Sequence, residues 1–343
     1  MSTSEHETQT PPTSVTRRQD SEPLTTIRAG WARRGAIDRL SGVYVWLLLV
    51  LLFAIWVPDT FLTSSTVRTI GSSSAVTSIV ALALILPLAC GLFDLSVAAT
   101  LGVAAVLALQ LQADGVGVAP SVLLTLLAGV LIGVVNAVLV VRIGINSFIA
   151  TLGMSSVLAA LSFWISDGTQ LVAAVPSSYV DLGQGTFLGM PNPVWYAIAI
   201  GVVLLYVTEL TTVGRYLYAI GGNTEAARLV GIRVDRVLFG SLVFSAVLAA
   251  FAGIVLSAQL GSSSPDVGPP YLLPAFSAVL LGATQIKTNG RVNVVGTLVA
   301  VVLLATGIFG LQLAGAPSFI SSLFNGVALI VAVALSLRAN RGR

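Results

Sequence analysis

The sequence predicts an all-α, polytopic membrane protein with about ten transmembrane helices, one of them broken or re-entrant. Three observations lead there. Of 343 residues, 56% are hydrophobic and 9% charged, against about 25% charged in soluble domains. The apolar residues gather in blocks near the ~20 that a helix needs to cross ~30 Å of hydrocarbon, not in the short alternating segments of a transmembrane β-barrel. Finally, Lys and Arg are confined almost entirely to one set of loops.

Residues 1–40, beginning "MSTSEHETQTPPTSVTRRQD", are rich in Ser, Thr, Pro and charge and lack an apolar period. That composition predicts a disordered cytoplasmic tail. It is not a secretory signal, because no short apolar core follows directly on its basic residues. The membrane domain spans 41–337, and 338–343 forms a short cytoplasmic tail.

The first membrane segment covers 41–58 and the second 70–90. In "PLACGLFDLS", Pro87 and Gly91 are expected to break one long apolar stretch into two helices. Segments follow at 94–112, 119–141 and 147–166. The connection 167–192 is the longest outer loop. Its Gly and Pro content indicates turns, while Leu171, Val172, Tyr179 and Phe187 indicate a small packed lobe. A plain connection and a docking surface for an external partner are both open. Segment 193–212 precedes the inner loop 213–236, and 237–260 follows it. Segment 271–284, "YLLPAFSAVLLGAT", is short, follows Pro269-Pro270 and contains Pro274. It is the candidate for a re-entrant or broken helix, which the bilayer tolerates where protein or a wet cavity covers it. Segments 292–313 and 318–337 complete the set.

With a cytoplasmic amino terminus, this arrangement puts sixteen of the seventeen basic residues inside and Arg68 alone outside, as the positive-inside rule requires. Treating 271–284 as a non-crossing hairpin would move Arg338, Arg341 and Arg343 to the outer side. The basic balance, net charge +3, therefore reflects topology and does not argue for nucleic acid.

Several chemistries are excluded. The single cysteine, Cys90, lies in an apolar run and the single histidine, His6, in the tail, so neither a disulfide framework nor a His/Cys metal site is available. No nucleophile–base pair is visible, and catalytic residues are none. No G-x-x-x-x-G-K-[ST] loop occurs, so the chain cannot cradle and hydrolyse ATP itself.

The inner loop contains "GGNTEAARLVGIRVDRV" (221–237). Asn223 suits an N-cap, and Glu225 lies in the first turn, where the helix dipole favours negative charge. Gly231 suits the left-handed stop residue, with Ile232 folding back on the last turn. Residues 224–230 are thus expected to form two capped turns on the membrane surface. Ala226 and Ala227 make one side of this helix small. A helix that short is marginal in water and is expected to pack against something.

"EAARLVG" resembles the Glu-Ala-Ala-x-x-x-Gly signature of permease subunits of ABC importers. "GLFDLSVAATLG" (91–102), "NSFIATLGM" (146–154), "GRYLYAIGGNTEAARLVGIRVDRV" (214–237) and "YLLPAFSAVLLGATQIKTNGRVNVVGTLVA" (271–300) resemble, in order, motifs of the ribose/xylose-type sugar permeases. The resemblance runs from about 41 to the carboxyl end. Departures include Leu92 and Phe93 for Gly-Ile, Ala98 and Ala283 for Gly, Ser147 for Pro, and Asn293 for the Gly after Arg.

The resemblance implies a transporter subunit, multi-pass in a bacterial cytoplasmic membrane, with both termini inside. It implies coupling through Asn223, Glu225, Ala226, Ala227, Arg228 and Gly231 to an ATP-binding subunit, which would use ATP and Mg. This chain itself would bind no cofactor. Further implied partners are an extracytoplasmic sugar-binding protein, a second permease copy or paralogue, and membrane lipid.

Candidates for the translocation path are Asp94, Ser96, Asn146, Phe148, Thr151 and Phe276. Polar side chains at membrane depth would bind hydroxyls and aromatics would stack on ring faces. More often such polar groups join neighbouring helices, and Asp94 is also placed to cap the helix that follows it. The competing reading is a proton-coupled secondary transporter in which Asp94 or Glu209 takes up the proton.

Overall fold

In the computed structural model, described residues run from 41 to 341, apart from 173–174 and 286–290; the tail 1–40, Lys287 and residues 342–343 lie outside them. The elements are α1 (Ser41–Trp56), α2 (Pro58–Phe61), α3 (Ser64–Ala89), α4 (Val97–Ala113), α5 (Val118–Ala137), α6 (Ser147–Ile165), α7 (Ser177–Gln184), α8 (Asn192–Leu205), α9 (Thr212–Gly222), α10 (Thr224–Leu229), α11 (Val234–Leu260), α12 (Leu272–Gln285), α13 (Val294–Leu313) and α14 (Phe319–Arg341). Single π turns, Val138–Arg142 and Tyr206–Leu210, extend α5 and α8.

Among the described residues, six helices are long and apolar enough to cross a membrane, and four shorter apolar helices accompany them. Each of the ten corresponds to one expected segment. The last helix does not stop at 337 but continues through Arg341.

Helix α3 is the axis of the bundle. It packs against α8, α11, α12 and α13, and the run Ser78–Leu86 is buried on every side. A helix apolar all round belongs inside. By contrast, α5, α6 and α8 bury one stripe and expose the rest as hydrocarbon: Leu131, Ile149 and Val202 all point outward.

Close approach is set by small residues, as in other membrane bundles. A Cβ on Gly133 would stand 2.7 Å from the Val243 Cα, and one on Gly129 would stand 2.6 Å from the Ala250 Cβ. The "GVLIG" pattern thus seats α5 against α11.

The break expected at Pro87 and Gly91 is present, with α3 ending at Ala89 and α4 beginning at Val97, whereas the break expected around Pro274 is corrected. Helix α3 runs through Pro87 and ends two residues later. Gly91 (φ +81°) makes the stop, with Leu92 N donating to Pro87 O at 2.9 Å and Gly91 N to Leu88 O at 3.1 Å. Pro274 does not interrupt α12, because it is the third residue of that helix, where no backbone N–H has an intrahelical acceptor. The irregular backbone instead precedes α12, ending in the 3₁₀ turn Pro269–Tyr271.

The 167–192 connection forms a lobe with short strands. Leu171–Val172 pairs antiparallel with Ser262–Ser263, and Thr186–Phe187 with Met190–Pro191. Of its four expected packing residues only Tyr179 is buried, with its hydroxyl 2.6 Å from Ser257 Oγ; Val172 and Phe187 are exposed. The lobe sits at the end where α3 begins, since Met190 lies against Gly71. The 224–229 helix sits at the other end, since Gly221 closes on the Ala89 carbonyl.

Candidate functional site

The break between α3 and α4 leaves residues 91–96 outside helix, with backbone groups that need partners. They are clasped by one face of α6. Ser147 Oγ accepts from Phe93 N (3.1 Å), Thr151 Oγ1 accepts from Leu95 N (3.0 Å), and the Ser155 hydroxyl donates to Leu95 O (2.9 Å). The spacing i, i+4, i+8 puts the three hydroxyls on one helical stripe.

Asp94 lies at the centre and is 1% exposed. Its Oδ1 accepts from Ser96 N (3.1 Å) and Ser96 Oγ (2.6 Å), and its Oδ2 accepts from Ser245 Oγ of α11 (2.8 Å). Asn136 of α5 donates to Ser96 Oγ at 2.8 Å. The start of α4 and α11 therefore meet on one carboxyl group, and α5 reaches it through Ser96. Ser245 is eleven residues past the start of α11, about 16 Å at ~1.5 Å per residue, so the node is set well into the bundle.

The capping role expected of Asp94 is displaced. The N-cap of α4 is Ser96, and Asp94 binds one turn earlier, closing a short Asx-type turn onto Ser96 N.

The sequence-derived path residues separate into three places. Asp94, Ser96 and Thr151 come together in the buried node. Asn146 caps α6, accepting from Phe148 N at 3.0 Å, and both residues are exposed. Phe276 of α12 belongs to the main apolar core. Ser147 was noted only as a departure from the resembled motif, and Ser155 and Ser245 were not singled out, although the Ser147-Thr151-Ser155 spacing carries the signal for the first two.

At the far end of α3 stands the short helix α10. Asn223 Oδ1 accepts from Ala226 N at 3.0 Å. The helix ends with Gly231 (φ +84°), Gly231 N donating to Arg228 O and Ile232 N to Ala227 O. Both ends follow the sequence expectation, one residue shorter. The two alanines differ: Ala227 is 3% exposed and packs into the core, while Ala226 faces solvent. Arg228 pairs with Asp235 at 3.2 Å, with both side chains mostly exposed. Glu225 and Gly231 are also exposed. The surface beyond the charges is apolar, since Leu229 is 89% and Val230 77% exposed. Sequence reading passed over both.

Helix α9 links this knob to the rest. Its Tyr218 hydroxyl donates to Val292 O, two residues before α13, at 3.0 Å, and Arg291 lies over the ring at 5.5 Å. Burial pushes the Tyr218 hydroxyl above its ordinary pKa, and the Glu209 carboxylate adds to the shift. Asn293 caps α13 by accepting from Gly296 N at 2.6 Å.

The family described as branched-chain amino acid transport system / permease component matches residues 66–333. The L-arabinose ABC transporter permease protein of Azospirillum brasilense is 32% identical, over 92% of this chain and 93% of that one. The ribose import permease protein of Bacillus subtilis is 31% identical over 88% and 93%. The autoinducer 2 import system permease protein of Photorhabdus laumondii is 32% identical over 74% and 78%. No solved structure matches. A polytopic helical bundle, a clasped helix break and a capped surface knob accompany these matches, and the chain belongs to the branched-chain amino acid transport system permease family.

Proposed function

We propose that the chain is the membrane-spanning subunit of an ATP-binding-cassette importer that moves a monosaccharide, or a related small polar solute, into the bacterial cytoplasm. Two permeases, identical or paralogous, form the path. A binding protein delivers solute to the 167–192 lobe side, and an ATP-binding subunit docks on α10 and hydrolyses ATP with Mg. The termini and the knob face the cytoplasm.

The observation that carries this reading is α10: six residues capped at both ends by side chain and glycine, anchored inward by Ala227 and presenting Leu229 and Val230 outward. A helix of that length is not self-supporting, and exposed apolar side chains at a membrane protein's polar end call for a protein partner. Its links run inward through Ala227 to the core and through α9 and Tyr218 to α13, so a push on the knob reaches the spans. The sugar assignment is supported by relatives whose names carry L-arabinose and ribose.

Reconstituted uptake tests the reading. It should require ATP and the ATP-binding subunit and survive collapse of the proton gradient. Uptake by this chain alone, abolished by a protonophore, would replace it with the proton-coupled mechanism, in which Asp94 or Glu209 carries the proton.

A further inference from the structure

The carboxyl of Asp94 is saturated by hydrogen bonds from its own node, where only Asn136 Oδ1 lacks a partner among the described residues. A different place in the bundle is hollow. Between α3, α13 and α14, near the ends of these helices that adjoin the 167–192 lobe, lies a cavity of about 240 Å³, lined on its polar side by Ser73, Ser74, Thr77, Gln312 and Asn325. Phe309 contributes an aromatic face, and among the described residues no charged side chain lines it.

The polar groups retain acceptor capacity. Ser73 and Ser74 give their hydroxyl protons to Ile70 O and Gly71 O within α3, which leaves lone pairs. Gln312 gives an Nε2 proton to Ser321 Oγ, and its Oε1 takes no part in that bond. Asn325 is 8% exposed, and its Oδ1 has no partner among the described residues. Buried amide oxygens are normally satisfied, so this one points to a guest that donates.

A neighbouring groove is larger, about 630 Å³, but Trp46, Phe61 and Met190 give it a predominantly apolar wall. It suits hydrocarbon, and since the smaller cavity is also walled mainly by apolar side chains such as Val301, Leu304 and Ile308, what distinguishes it is the unpartnered Asn325 Oδ1.

We propose that the cavity bounded by Ser73, Thr77, Gln312 and Asn325 is a subsite for an uncharged, polyhydroxylated solute on its way through the bundle. Hydroxyl protons meet the acceptor array, and a ring's C–H face lies on Phe309. A cationic solute would find no carboxylate, and a carboxylate solute no base. The proposal rests on the import reading above and gives that reading a location.

The test uses the complete importer in proteoliposomes. The chain's one cysteine, Cys90, is buried, so a Ser73→Cys variant carries a single accessible thiol. A hydrophilic methanethiosulfonate should label it, and D-ribose, L-arabinose or D-xylose at high concentration should slow labelling about tenfold, as ~90% occupancy requires by mass action. L-Leucine should not slow it. A Leu131→Cys control, on the outward face of α5, should show no sugar effect. Asn325→Leu should cut maximal uptake about tenfold (~1.4 kcal/mol), with half-saturation and recovery of the ATP-binding subunit unchanged.

Labelling only by a lipid-soluble maleimide would make the cavity a lipid groove and overturn the proposal. Indifference to every sugar, or protection by leucine alone, would also overturn it. ATP-driven sugar uptake without protection would sink the subsite and leave the import reading standing. Protection without ATP-driven uptake would do the reverse.

Discussion

Ser245 donates its hydroxyl to Oδ2 of Asp94 at 2.8 Å, across 151 positions of sequence. That bond ties α11 to the turn entering α4, and with Ser96 and Asn136 it gives the carboxyl three protein donors and a second layer.

Removing the acceptor should be more damaging than removing one donor. Asp94→Ala leaves a buried N–H and two hydroxyls without their partner, and an orphaned buried group costs ~1–3 kcal/mol. Ser245→Ala removes one hydroxyl bond, worth about 0.6 kcal/mol on average in membrane bundles. Thermal unfolding of the purified permease in detergent should rank the first variant well below the second. Equal midpoints would show that the node is not structural.

Thr151→Val keeps shape and deletes the hydroxyl that accepts from Leu95 N. The expected loss is ~1–3 kcal/mol for the buried N–H. Hydrogen exchange at residues 93–96 should rise, while the capped ends of α10 stay protected. Unchanged exchange at 93–96 would remove α6 from the clasp.

The α5–α11 seam predicts a sharp contrast among glycines. Gly133→Leu adds atoms where a Cβ already stands 2.7 Å from the Val243 Cα, whereas nothing lies within 4 Å of a Cβ on Gly153. Overpacking costs ~1–3 kcal/mol, so Gly133→Leu should lower the melting temperature and the yield of inserted protein. Gly153→Leu should leave both near wild type.

At the knob, Leu229→Asp should abolish co-purification of the ATP-binding subunit without altering insertion. Gly231→Val should weaken it, because a left-handed residue with a Cβ is disfavoured by ~1–2 kcal/mol. Cysteine cross-linking from Ala226→Cys should capture that subunit and Ala227→Cys should not, since position 227 faces inward. The reverse pattern would place the docking face on the other side of α10.

Most of the helical framework was legible because its signals are local. Asn223 and Gly231 act within a turn of their own helix, and their geometry came out as composition and spacing implied. Of the prolines Pro274 misled, because the effect depends on position: it falls in a first turn, where its missing N–H has no intrahelical acceptor, whereas Pro87 with Gly91 marked a real helix end. Which faces point inward was not legible. Leu82 is buried and Leu131 mostly exposed, yet lipid and protein core ask for the same side chain, so no polar stripe marks the outside. The Asp94 partners were unreadable for a different reason, since Ser245 is brought there only by the packing of α11 on α4.

The clasp also imposes an order on biogenesis. Phe93 and Leu95 wait for Ser147 and Thr151, which lie 54 and 56 residues later in the chain. At ~5–20 residues per second, a ribosome needs about 3–11 s to supply them. For that interval the nascent bend has no protein partner, so it must stay within the translocon or near the headgroups and sink to its final depth only when the helix bearing the hydroxyls arrives.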